Sequence, residues 1–206
     1  MLTKLKRKIQ GMLAAEAIVA HRVGLTPNLI TGIGLILAFL AAFSYAYWRG
    51  DARFLLLATV LLLFSGFCDA LDGVVARIFG QATVFGGFLD SLLDRYADAV
   101  VYVGIIFGGL CAPEYLYWGL GAIIGSLLVS YSRARAEAAG VKMESIGLAE
   151  RAERMLVLVI AGLVGFFWQP VTVMTGALIL LAVLTNLTVL QRSVYVYLST
   201  EKKVVG

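Results

Sequence analysis

Residues 155–191 read MLVLVIAGLVGFFWQPVTVMTGALILLAVLTNLTVLQ, thirty-seven residues without a charge. One helix of that length would reach ~55 Å, against a bilayer hydrocarbon core of ~30 Å. The run is too long for one crossing. Trp168-Gln169-Pro170 must therefore be a turn between two apolar helices, because proline cannot continue the hydrogen-bond ladder of a preceding helix. Working outward, residues 30–48, 54–68, 99–113 and 115–132 are also free of charge, with Pro113 and Arg49-Gly50-Asp51 as punctuation. No segment alternates with period two, and a helix satisfies its own backbone in lipid, so every apolar run is expected to be helical.

The spacing predicts helices near 28–48, 53–78, 84–111, 115–138, 149–168 and 171–195. The expected fold is an all-α integral membrane protein of six transmembrane helices plus an N-terminal amphipathic interfacial helix. Residues 1–206 then form one membrane domain, with residues 1–22 as the juxtamembrane helix and 28–195 as the six-helix bundle. Composition agrees, since 61% of the 206 residues are hydrophobic and only 15% charged, with a mean hydropathy of +0.91. A water-soluble globule is excluded. Cys68 and Cys111 lie in separate apolar runs and read as small hydrophobes rather than a disulfide.

Orientation follows from the basic residues. Fourteen of the seventeen lysines and arginines fall in the N-terminus, the even-numbered connections and the C-terminal end. Arg49 and Arg53 lie on the opposite side, and Arg95 lies within a span. Both termini are expected in the cytoplasm of a multi-pass cell-membrane protein. In the first twenty residues Leu2, Leu5, Ile9, Met12 and Leu13 recur at helical spacing beside Lys4, Lys6, Arg7 and Lys8, and Glu16 interrupts the run. That pattern suits a helix lying in the interface better than a signal peptide.

The acidic residues are in the wrong place for a purely structural membrane protein. Asp69 and Asp72 end the apolar part of the second span, while Asp90, Asp94 and Asp98 fall inside the third. Each unpaired charge at depth costs ~2.5–3.5 kcal/mol, so these groups need a partner or a purpose. Residues i and i+3, or i and i+4, share a helix face, and the short Phe79-Gly80-Gln81 connection should make the two helices antiparallel neighbours. Four carboxylates then converge at one depth. They repel one another unless a cation lies between them, and all-oxygen ligands select magnesium, manganese or calcium over zinc. Gly73, Gly86 and Gly87 leave room beside the cluster, and Arg77 could neutralise it or bind a phosphate. Asp98 either supports the cluster from one turn deeper or pairs with Arg95.

From Asp69 the chain spells D-A-L-D-G-V-V-A-R, then eight residues, then G-G-F-L-D-S-L-L-D. This resembles the D-x2-D-G-x2-A-R-x8-G-x3-D-x3-D signature of the CDP-alcohol phosphatidyltransferase family, with all eight fixed positions present: Asp69, Asp72, Gly73, Ala76, Arg77, Gly86, Asp90 and Asp94. The resemblance covers the whole chain and implies six transmembrane helices, an interfacial helix and a homodimer. It further implies that Asp69, Asp72, Asp90 and Asp94 hold Mg²⁺ or Mn²⁺ and that Asp94 is the general base. Thr26-Pro27-Asn28 and Thr31 look like the family's T-P-N-x2-T stretch, so Asn28, Thr31, Asp69, Gly73, Ala76 and Arg77 are expected around the CDP group of the lipid. By themselves, Thr26-Pro27-Asn28 are an ordinary helix start.

A divalent cation neutralises a pyrophosphate under attack, and a buried carboxylate can take the proton of the incoming alcohol as CMP leaves. The acceptor is read from the remaining cations. Ser130-Tyr131-Ser132-Arg133-Ala134-Arg135-Ala136-Glu137 ends the fourth span, Glu150-Arg151-Ala152-Glu153-Arg154 opens the fifth, and Arg192 closes the sixth. Guanidinium forks suit a phosphate, so Arg133, Arg135, Arg151, Arg154 and Arg192 favour an acceptor that already carries one. The positive-inside bias would also put cations here.

The S-x-A-R-A-E-A-x-G and E-R-x-E-R pattern looks like the branch that makes phosphatidylinositol phosphate from inositol 1-phosphate and CDP-diacylglycerol, or its archaetidyl equivalent from CDP-archaeol. Arg133 departs from the lysine of the bacterial enzymes. Glycerol 3-phosphate, giving phosphatidylglycerophosphate, is the next acceptor, and serine the third. The expected partners are these substrates, the bilayer and a second copy of the chain, with no nucleic acid. A small ion-coupled transporter would instead place its acids near the midplane and show internal duplication, and neither is visible. Gly104/Gly108 and Gly121/Gly125 are small-xxx-small pairs that fit packing within the chain better than a dimer seam.

Overall fold

The structure, a computed structural model, describes residues 13–143 and 146–204. Its elements are α1 (Ala14–Arg22), α2 (Pro27–Tyr47), α3 (Arg53–Ile78), α4 (Val84–Phe107), a 3₁₀ turn (Pro113–Tyr115), α5 (Leu116–Ala138), α6 (Arg151–Phe167) and α7 (Pro170–Val204). The described residues contain no strand. Four stretches are long and apolar enough to cross a membrane: Pro27–Tyr47, Arg53–Ile78, Pro113–Ala138 and Pro170–Glu201. Of the expected N-terminal amphipathic helix, only Ala14–Arg22 is seen as helix. Leu2, Leu5, Ile9, Met12 and the four basic residues beside them lie outside the described residues, as does the start of the 1–22 segment.

Local chemistry sets the helix ends. Thr26 caps α2 by accepting from Leu29 N at 3.4 Å, with Pro27 in the first helical turn. Thr83 caps α4 by accepting from Gly86 N at 2.9 Å. Between α3 and α4, Gly80 takes a φ of +63°, which lets Gln81 N donate back to Ala76 O at 2.9 Å. The turn at Trp168-Gln169-Pro170 is present. The third apolar helix stops at Phe107 rather than 111, because Gly109 turns left-handed at φ +68° and Leu110 N returns to Ile105 O. At the other end, α7 continues past residue 195.

The packing corrects one expectation. Helices α3 and α4 are not close neighbours along their lengths. Each packs extensively on α2, which lies between them. The reason is a stripe of small residues. Ala38, Ala41 and Ala42 are buried on α2, and a Cβ on Gly104 or Gly108 of α4 would strike the carbonyl oxygen of Ala42 or Tyr45. On the other side a Cβ on Gly34 would lie 3.2 Å from Cys68 Cβ of α3. Both glycine pairs thus pack within the chain: Gly125 of α5 abuts Thr185 of α7, and Gly121 faces Ala182 at 3.6 Å.

Hydrogen bonds between helices add to this. Ser65 Oγ donates to Gly34 O at 2.8 Å, and Ser126 Oγ donates to Tyr102 Oη at 3.1 Å. Large apolar side chains such as Ile36, Phe39, Phe43, Leu63 and Phe64 point outward, as lipid-facing positions should. Helix α1 packs Leu13, Ala17 and Ala20 against Ile30 and the Leu71–Val75 end of α3, and His21 stacks on Phe79 with ring centroids 3.7 Å apart. Cys68 and Cys111 are free thiols.

Candidate active site

The carboxylates converge although their helices do not run side by side. One oxygen from each of Asp69, Asp90 and Asp94 lies within 4.8 Å of the others. Asp69 lies on α3, and Asp90 and Asp94 are one turn apart on α4, reached across the short Phe79–Thr83 connection. Asp72 is the buried member of the group, and its Oδ2 accepts from Thr31 Oγ1 of α2 at 2.7 Å. Through that bond α2 ties the cluster to the start of the first long helix. Three close carboxylate oxygens, with a fourth acid one turn away, form a hard donor set that fits Mg²⁺ or Mn²⁺.

Beside the cluster, the Arg77 guanidinium lies over Gly73, with Nη1 3.4 Å from where a Cβ would stand. A Cβ on Gly86 would lie 3.1 Å from Asn28 Oδ1, so this glycine lets the start of α4 approach the start of α2. Gly87 does not share this role, because it faces open space. Asn28 and Arg77 are exposed, while Thr31, Asp69, Gly73 and Ala76 range from buried to half-buried. Of these residues, Thr31 touches the cluster through Asp72, while Gly73, Ala76 and Arg77 follow Asp72 on α3 and Asn28 meets the start of α4.

The arginines divide into groups. Arg151 sits at the carboxylates: its Nη1 contacts Asp69 Oδ1 and lies 2.8 Å from Asp94 Oδ1. Its Nε is 3.6 Å from Asp98 Oδ1. Arg154, 2% exposed, pairs through Nη2 with Asp98 Oδ2 and donates from Nη1 to Ala149 O at 2.9 Å. Arg192, also 2% exposed, donates to Ile146 O at 2.8 Å and Val129 O at 2.5 Å, with Glu150 at 3.9 Å. Arg133 and Arg154 are near enough to Arg192 to repel it, and Glu137 and Glu150 offset them. Arg133 itself pairs with Glu137 at 3.0 Å, and Arg135 is exposed in the last turn of α5.

Arg151, expected among the phosphate-facing arginines, instead has its guanidinium between the acidic residues of α3 and α4. For Asp98, one of the two expected readings drops out. Asp98 does not pair with Arg95, which donates instead to Ser91 O of its own helix. Asp98 reaches across to α6 and touches both Arg151 and Arg154. Sequence reasoning also missed Glu150 and the carbonyls of Val129, Ile146 and Ala149 as partners of the buried arginines. Glu150 had a signal, standing beside Arg151 at the start of α6. The carbonyls had none, because every residue carries one.

A family model described as CDP-alcohol phosphatidyltransferase matches residues 24–190. The archaetidylinositol phosphate synthase of Methanothermobacter thermautotrophicus is 41% identical over 179 residues, covering 87% of each chain. The crystal structure of Mycobacterium tuberculosis phosphatidylinositol phosphate synthase with CDP-DAG bound superposes with a TM-score of 0.78 at 29% identity, covering 90% of this chain and 93% of that one. The same synthase in complex with manganese and citrate gives a TM-score of 0.78, covering 90% of this chain and 88% of the other. The long family match and these two synthases agree with the motif from Asp69 to Asp94. The chain belongs to the CDP-alcohol phosphatidyltransferase family, a family of membrane transferases.

Proposed function

We propose that this enzyme transfers a phosphatidyl or archaetidyl group from a CDP-lipid to a hydroxyl of inositol 1-phosphate, releasing CMP. The observation that carries this reading is the meeting of three carboxylate oxygens within 4.8 Å beside the arginine-rich start of α6, with Arg133 and Arg135 in the last turns of α5 and Arg192 along α7. The similarity to archaetidylinositol and phosphatidylinositol phosphate synthases supports the acceptor.

Asp69, Asp72, Asp90 and Asp94 would hold Mg²⁺ or Mn²⁺. When bound, that ion neutralises diphosphate charge and makes the phosphorus more electrophilic. Asn28, Thr31, Asp69, Gly73, Ala76 and Arg77 bind the CDP moiety, Arg77 by its charge and Gly73 by leaving space beneath it. Asp94 takes the proton from the attacking hydroxyl. Arg133, Arg154 and Arg192, with Arg135 nearby, hold and orient the acceptor's phosphate by charge-assisted hydrogen bonds. The lipid keeps its phosphate, now esterified to the polyol.

The membrane arrangement belongs to the same proposal. Residues 1–206 form one domain in the cell membrane, with α2 to α7 as six spans, α1 in the interface and both termini cytoplasmic. The fourteen-to-two bias of basic residues and the even number of long helices support this, and the enzyme works as a homodimer, as the family resemblance implies. Purified enzyme should release CMP from CDP-lipid with inositol 1-phosphate, and not with serine. Equal or faster turnover with glycerol 3-phosphate would replace the acceptor. No CMP with any of the three would defeat the transferase reading.

A further inference from the structure

We infer that Arg151 is a built-in competitor of the divalent cation and that Asp98 draws it away, so that this pair sets how tightly the carboxylates hold the metal. This rests on the cation site proposed above and concerns residues outside the acidic motif. The geometry is specific. Arg151 Nη1 lies between Asp69 Oδ1 and Asp94 Oδ1, against two of the three carboxylates whose oxygens converge. A cation and a guanidinium cannot share those oxygens at contact distance, because the two positive charges repel strongly in a half-buried site.

The other end of the guanidinium faces Asp98. Arg151 Nε is 3.6 Å from Asp98 Oδ1, while the second oxygen of Asp98 is engaged by Arg154. Among the described residues, the acids that act on Arg151 are on α3 and α4: Asp69, Asp94 and Asp98 in contact range, with Asp90 acting at longer range. Of the described acids in contact with it, Asp98 is the one that lies outside the cation set, and it is buried. Asp98 can keep hold of the guanidinium through Nε when Asp69 and Asp94 turn to a metal ion. Arg154 keeps the Asp98 carboxylate aimed, itself fixed by Ala149 O.

Both substitutions then have a definite sign. Arg151→Gln removes the competitor, and its Mn²⁺ affinity should rise. Asp98→Asn removes the alternative partner and a negative charge, leaving Arg151 wholly on Asp69 and Asp94, and Mn²⁺ affinity should fall. Each change is expected at roughly tenfold, the size of one strong local charge interaction in a partly buried site. In the double variant the Asp98→Asn effect should shrink to about twofold or less, because most of it passes through Arg151.

Mn²⁺ binding to purified full-length protein in detergent, read by electron paramagnetic resonance without substrates, tests this independently of turnover. Thermal unfolding of each variant would be measured alongside. Arg151→Lys, which keeps the charge but loses the fork, serves as the second variant and should bind Mn²⁺ with an affinity between those of the parent and Arg151→Gln. An affinity unchanged or lowered in Arg151→Gln, or additive effects in the double variant, would overturn the inference while leaving the cation site intact. Absence of Mn²⁺ binding by the unaltered protein would overturn both.

Discussion

Replacing Asp94 by asparagine keeps the size of the side chain and removes the oxygen proposed to take the proton. CMP release should fall by roughly 10²–10⁴-fold, with the protein still folded as judged by circular dichroism and gel filtration. The half-buried position of Asp94, one turn from Asp90 and facing Asp69, explains why its loss bears on chemistry rather than on the core. Stripping divalent ions with EDTA should abolish turnover, and adding Mn²⁺ or Mg²⁺ should restore it, because hard oxygen donors release these ions reversibly. Thr31→Val tests a different link. It removes the donor to the buried Asp72 carboxylate and should cost about 1–3 kcal/mol of stability, read as a lowered Tm, since a buried acceptor then loses its partner.

Among the elements, α2 matters most. Its small residues let α3 and α4 approach it from opposite sides, and the carboxylates meet only where those two helices come together near the Phe79–Thr83 connection. Gly104→Leu would drive a side chain into the backbone of α2 at Ala42 and should destabilise the protein by about 1–3 kcal/mol or more. Gly176→Leu, where the space beside the glycine is open, should change the Tm little. If both variants melt alike in detergent, the close approach of α2 and α4 is not what holds them together. Much of this level was legible beforehand. The turn at Trp168-Gln169-Pro170 and the helix start at Thr26 follow from proline and threonine chemistry within a few residues, whereas the cap at Thr83 went unread. The placing of α2 between the two acidic helices was not legible, because a short connection restricts the helix ends without stating which third helix fills the gap between them.

For the whole molecule, the distribution of basic residues makes a prediction about sidedness. A fluorescent protein fused after residue 206 should fluoresce in the cytoplasm of intact cells. A single cysteine placed near Asp51 should be labelled from the outside by an impermeant maleimide. Labelling only after permeabilisation would reverse the orientation drawn from the fourteen-to-two bias.

Composition and period alone place the chain in a membrane, make its elements helices, and collect acidic residues at helical spacing near one end of two of them. Those properties depend on transfer energies and on contacts between near neighbours along the chain, which composition and period express directly. What the charged side chains touch depends instead on how the helices pack. Asp98 chose Arg151 and Arg154 of α6 over Arg95 three residues away, and Arg151 joined the carboxylates instead of the other arginines. The physical reason is that long side chains on separate helices pair according to where packing of the apolar faces brings the helix ends. That placement depends on interhelix contacts such as Gly104 on Ala42, which no local pattern records.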